Sequence, residues 1–288
     1  MRSEHRPLIL SLGLLALVAC KKEETTEPTP TSPTPSGMQV VQSATDAGYT
    51  LELLSASGTL DVGYNDLQLR IKDGQGNAVS NATVSWLPLM TMEMGGNTHQ
   101  HSCPYSALTA TTSGPVGYQG HVVFNMASSA MGTWVITVTY DTGHGARQVD
   151  LPVNVTTSEG EFHKRYTSAV GTDGTTYLLA MIQPSAPTTG INTMVVGLYK
   201  RVSSMEFPVV DGYTIRVDPR MPGMGNHGAP GNVDLTQGTD GFYHGAVGFS
   251  MTGYWKINLV VEQNGSVLCG EPVTTGNEGS SVHFKVNF

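Results

Sequence analysis

The stretch LPLMTMEMGGNTHQHSCP sets Met90, Met92 and Met94 at alternate positions and follows them with His99, His101 and Cys103. Thioether sulfur is a soft, uncharged donor that favours Cu(I), whereas Mg²⁺, Ca²⁺ and Mn²⁺ prefer oxygen. Imidazole serves Cu(I), Cu(II) and Zn²⁺ alike. A mixed methionine–histidine set therefore points to copper, Cu(I) first, with Cu(II) or Zn²⁺ as the other choices. His99, His101 and Cys103 alone have spacing that suits Zn²⁺ or Cu(II). The competing reading is core filling, because methionine packs irregular gaps well.

A second cluster, Met221, Met224 and His227, lies in RMPGMGNHG. The flanking sequences repeat as well. GYQGHVVFNMASSAMGTWVITVTYD in the first half matches DGFYHGAVGFSMTGYWKINLVVEQ in the second. Tyr118 aligns with Tyr243, Gly120 with Gly245, Phe124 with Phe249 and Met126 with Met251. Gly132-Thr133-Trp134 then aligns with Gly253-Tyr254-Trp255. Met126 and Met251 are thus further candidate ligands, each expected on a strand neighbouring the cluster. Methionine is not a preferred strand residue, and glycine, asparagine and histidine around the clusters suit exposed loops.

A β scaffold must position these groups. TVSWLPL, HVVFNM, TWVITVTY, TYLLAMI, NTMVVGLY, WKINLVV and VHFKVNF are short, rich in valine, isoleucine, threonine and aromatics, and bounded by turn residues. No segment carries a capped helical period. The chain is expected to be all-β: two immunoglobulin-like antiparallel β-sandwich domains in tandem, residues 38–157 and 172–288, joined by a connector at 158–171. On a strand, Met90, Met92 and Met94 share a face. Pro88 predicts an edge or a strand start, and Gly95-Gly96 a turn that returns the histidines towards the methionines. A turn at Pro222-Gly223 is expected to aim Met221 and Met224 to one side.

The pattern of Met221-Pro222-x-Met224-x-x-His227 followed by DGFYHGAVGFSMTGYW resembles YtkA-like and FixH-like domains, small envelope β-sandwiches associated with copper handling. The second half carries the likeness best, and the first is a divergent copy. The resemblance implies copper as the ligand and a role in its traffic.

At the N-terminus, Arg2 and Arg6 precede the apolar run PLILSLGLLALVAC. Residues 1–19 read as a signal peptide. Leu17-Val18-Ala19-Cys20 resembles the bacterial lipobox, which implies cleavage before Cys20 and its diacylation. Residues 20–37 are rich in proline and threonine and are expected to be a solvated tether. Lys21-Lys22-Glu23-Glu24 resembles an export signal of surface lipoproteins. The expected location is the cell envelope, on the outer membrane, facing the periplasm or the surface.

The formal net charge is −8, which argues against nucleic acid or anionic lipid as partners. G-x-S-x-G, H-E-x-x-H, phosphate-loop and dinucleotide patterns are missing, so no enzyme is expected. His121 and His244 do not align and rank below the cluster histidines. His144, His163 and His283 read as structural, and Trp86, Trp134 and Trp255 as core aromatics. Cys103 and Cys269 are free to pair or to stay apart. The sequence thus leaves two functions: an envelope lipoprotein that binds copper for buffering, sequestration or delivery to an acceptor protein, and a metal-free scaffold for adhesion or glycan capture.

Overall fold

The computed structural model describes residues 37–112, 114–157 and 160–288. The expected signal peptide, Cys20 and most of the tether lie outside the described residues. Residues 37–288 form one compact unit.

In chain order the strands of the first half are β1 (Gln39–Asp46), β2 (Tyr49–Ser55), β3 (Leu60–Asp61), β4 (Gly63–Lys72), β5 (Thr83–Met94), β6 (Asn97–His101), β7 (Thr109–Ala110), β8 (Tyr118–Phe124), β9 (Gly132–Asp141), β10 (Arg147–Val153) and β11 (Val155–Thr156). The second half holds β12 (Tyr166–Val170), β13 (Thr176–Gln183), β14 (Gly190–Lys200), β15 (Tyr213–Met221), a 3-10 turn (Pro222–Met224), β16 (His227–Gly228), β17 (Val233–Gln237), β18 (Tyr243–Phe249), β19 (Tyr254–Gln263), β20 (Ser266–Cys269) and β21 (His283–Asn287). The all-β expectation holds. β12 falls within the segment read as a connector.

Alternation builds these strands. β9, GTWVITVTYD, buries every second residue from Gly132 to Tyr140, the period of a pleated strand with one face in a core. In the first half, a sheet ordered β1-β2-β4-β8-β7 lies over one ordered β10-β9-β5-β6. Leu53, Leu67, Leu69 and Ile71 from the first meet Trp86, Trp134, Ile136 and Val138 from the second in one core. The second half follows a similar order, except that β3 and β11 have no counterpart in it and β20, paired with β19, has none in the first. β12-β13-β14-β18 forms one layer, while β15 and β19, joined by β16 and β21, form the other; β17 hydrogen-bonds to both layers. Its core gathers Leu179, Val196, Ile215, Val247, Trp255 and Phe284.

Tyr118 and Tyr243, aligned in sequence, play one role. Each is buried and donates its hydroxyl to a backbone carbonyl just ahead of β5 or β15, that of Ala82 at 2.9 Å and that of Val210 at 2.6 Å.

A third cluster joins the halves. Val123 of β8 packs with Tyr166, Leu178, Ala180 and Tyr199. These residues point away from the two main cores, because their immediate neighbours Val122, Phe124, Leu179 and Leu198 fill them. The backbone N–H of Ser102 donates across the junction to Ser204 at 2.8 Å.

Candidate metal centre

Glycine makes the first turn. Gly95 and Gly96 both have positive φ, 59° and 80°, and the hairpin they close pairs Met90 with His101, Met92 with His99 and Met94 with Asn97. Residues directly opposite on antiparallel strands share a face, so the two histidines return beside the first two methionines, as expected from the sequence. On the other side of β5, Met90 faces Trp134, which in turn faces Val153. A row of His101, Met90, Trp134 and Val153 thus crosses four strands.

The second half holds the same row. Met221 faces His227 across β15 and β16, and Trp255 faces Val286 across β19 and β21. Met221 lies one step beyond the last β15–β19 pair, Arg220 with Lys256, which places it beside Trp255. Pro88 and Pro219 each stand two residues before their methionine, opposite Ile136 and Ile257. Pro88 is mid-strand rather than at a strand start, but at its level β5 is the edge of its sheet, as expected. β6 does not reach its level, so its missing N–H leaves no bond unmade.

Each tryptophan also holds an outlying methionine. Trp134 donates its indole N–H to the carbonyl of Met126 at 2.9 Å, and Trp255 donates to that of Met251 at 3.0 Å. Met126 and Met251 sit two residues past the ends of β8 and β18 rather than on a strand, and their side chains are 44% and 40% exposed. The His101 and Trp134 rings meet edge to face at 5.4 Å, and those of His227 and Trp255 lie 6.5 Å apart.

The Gly-x-Trp motif has a packing reason. A Cβ at Gly132 would stand 2.9 Å from Met90 Cε and 3.0 Å from Met92 Cγ. One at Gly253 would stand 3.2 Å from Met221 Cε, at a φ of +123° that other residues rarely adopt. In each half glycine yields its side-chain space to a methionine.

The imidazoles differ. His101 Nδ1 lies 2.9 Å from the carbonyl oxygen of Ser102. A carbonyl only accepts, so Nδ1 carries a proton, and in the neutral tautomer this geometry selects the lone pair is on Nε2. A carbonyl bonded to the far ring nitrogen is the arrangement that orients imidazole as a metal ligand. His227 is exposed, with Nε2 3.2 Å from Ser250 Oγ.

The placement corrects several expectations. Met90 and Met221 are buried members of the two hydrophobic cores, not loop residues. The turn at Pro222 does not aim both sulfurs one way: Met221 is 6% exposed and Met224 57%. Met94, opposite Asn97 at the hairpin tip, stands apart from the row. Cys103 and Cys269 are unpaired and belong to separate cores. Cys103 is 1% exposed inside the first core, and burial pushes its thiol well above its ordinary value. Among the described residues no group of three or more His, Cys, Asp or Glu side chains is placed to hold a metal ion. Any centre here rests on thioethers with one or two imidazoles, a soft and nearly uncharged donor set. Trp134, Trp255, Gly132 and Gly253 were missed as site residues, although the shared Gly-x-Trp was their signal.

No family model matches this chain, and no curated protein matches it.

Proposed function

We propose that this chain is an envelope lipoprotein that binds copper, Cu(I) in preference, at one site in each half. The row of histidine, methionine and tryptophan, occurring twice in the same register, carries this reading. Core packing needs no imidazole opposite a buried thioether, still less the same one twice. In the first half Met90 and His101 form the centre, with Met92, His99 and Met126 at its rim. In the second Met221 and His227 form it, flanked by Met251, and Met224 stands outside in solvent. A neutral donor set suits a monovalent soft ion. The imidazole and the outlying methionine lie on the solvent side, where metal would enter and leave; that suits buffering, sequestration or delivery to an acceptor protein. The resemblance to YtkA-like and FixH-like domains supports the same role.

Titration of the protein with Cu(I) against a competing chelator tests this, with about two equivalents expected. Met90→Leu and Met221→Leu keep volume and hydrophobicity, so the fold should lose less than about 1.5 kcal/mol while each variant loses one equivalent. No binding by the wild type, or full binding by the double variant, would end the proposal. The second reading, a metal-free scaffold, draws on Met90 and Met221 being core residues; that outcome would leave it standing.

A further inference from the structure

We propose that the trough between the two halves, beside Met126, binds a hydroxylated organic anion of the sugar-acid type. Two adjoining cavities of about 310 and 460 Å³ share Asn125, Met126, Tyr166 and Ser168, and so form one trough. The volumes fall within the range of small-molecule sites, which favour junctions between packed units.

Charge is the first observation. The chain has 23 acidic and 15 basic residues, yet no Asp or Glu lines either cavity. Arg201 lines one, and Lys164 lines the other. The Arg201 side chain is exposed and makes no ion pair with any described residue. A planar guanidinium suits the two oxygens of a carboxylate.

Hydrogen-bonding demand is the second. Asn125 Oδ1 is sealed from solvent and has no partner among the described residues, a state that asks for explanation in a folded protein. Asn125 lines both cavities, and a turn of its amide would bring this oxygen to a ligand hydroxyl, a donor that would meet it. Around it stand the hydroxyl-bearing side chains of Tyr166, Ser168 and Thr176, while Leu178 and Phe207 offer apolar surface to the C–H face of a sugar ring. Carboxylate at Arg201, hydroxyl at Asn125 and ring face at Phe207 together describe a sugar acid better than a simple salt or an uncharged sugar.

The trough borders the proposed copper centre through Met92, His101 and Met126; anion binding at Arg201 and Asn125 needs no metal, and its test reads a different ligand. Glucuronate is titrated into the full chain by calorimetry, with glucose (the ring without the charge) and acetate (the charge without hydroxyls) as comparisons. Saturable binding of glucuronate at least tenfold tighter than either comparison is expected. Arg201→Gln should weaken it tenfold or more, and Asn125→Ala severalfold. Arg216→Gln, on a guanidinium paired to Glu262 outside the trough, should leave it unchanged. Absence of saturable glucuronate binding, equal binding of glucose, or indifference to Arg201→Gln would each overturn the proposal. Cu(I) stoichiometry measured on the same preparations separates this outcome from the fate of the metal reading.

Discussion

Trp255 donates its indole N–H to the backbone carbonyl of Met251 at 3.0 Å, so a fully buried ring pins a loop that carries an exposed thioether. Trp255→Phe keeps an aromatic ring and deletes the donor. The loop carbonyl can turn to water, so the lost bond should cost about 1 kcal/mol, with a further penalty for the smaller ring. Cu(I) affinity of the second half should fall as the Met251 loop loosens. Urea unfolding and chelator competition measure the two effects, and an unchanged affinity would show that the indole has no positioning role.

Gly132 should tolerate no side chain while Met90 keeps its length. Gly132→Ala brings a Cβ to within 2.9 Å of Met90 Cε, and overpacking of this kind costs about 1–3 kcal/mol. Met90→Leu removes the Cε. In that background the alanine should cost less than half as much, a coupling that a double-mutant cycle on denaturation midpoints would detect. Additive costs would place the strain elsewhere.

Stability should fall between pH 6.5 and about 4. His121 is stacked against Tyr64 at 5.2 Å and lies 5.3 Å from Phe242, with the Tyr199 hydroxyl 3.3 Å from Nε2 and Asp66 opposite on β4. Burial lowers its pKa from 6.5 to about 4. His283 is lowered to about 4 as well, by burial first and then by Lys256 and Lys164. In this window the unfolded chain binds protons that the folded chain refuses, so stability is full above pH 6.5 and drains as pH falls. His121 alone should account for about 2–3 kcal/mol by pH 4.5. His121→Phe keeps a ring between Tyr64 and Phe242 and should flatten the profile, as urea midpoints across this range would record. Asp46 acts lower: hydrogen bonds from Arg147, then Tyr140, hold its pKa at about 2, so that pair's contribution persists until pH drops below the ordinary carboxylate value of 3.8.

Both described cysteines should resist alkylation in the native protein. Burial raises the Cys103 thiol well above its usual range and takes Cys269 to about 11, helped by Asp173 and Glu271. The thiolate is the reactive form, so at pH 8 iodoacetamide should leave both peptides unmodified for hours and label both in denaturant. Peptide mapping without reductant should return two thiols and no crosslink.

Much of the fold was written locally. Alternation in TWVITVTY and the turn glycines gave β9 and its neighbours, and the match of Tyr118 to Tyr243 announced two copies of one layout. The Met90–His101 pairing was legible from Gly95-Gly96, because a tight hairpin fixes register. Depth was not legible. Whether Met90 faces a core or a loop depends on which sheet lies above it, and that is settled by β2 and β4, some 20–40 residues upstream. Met221 was misjudged for the same reason, since a proline turn reveals a reversal but not the burial on either side of it. The junction left one trace. TYLLAMI is apolar without alternation, the mark of a strand buried on both faces, and Leu178 and Ala180 occupy its second face. Arg201 and Asn125 gave no sequence signal, because only tertiary packing sets them beside one trough.

That second face has a consequence for either half taken alone. Severed from its twin, the N-terminal copy would expose Val123 to water, and the C-terminal copy would expose Leu178, Ala180 and Tyr199. A lone module would therefore be sticky and prone to self-association. Neither half can be removed without first replacing the apolar side by which it meets the other.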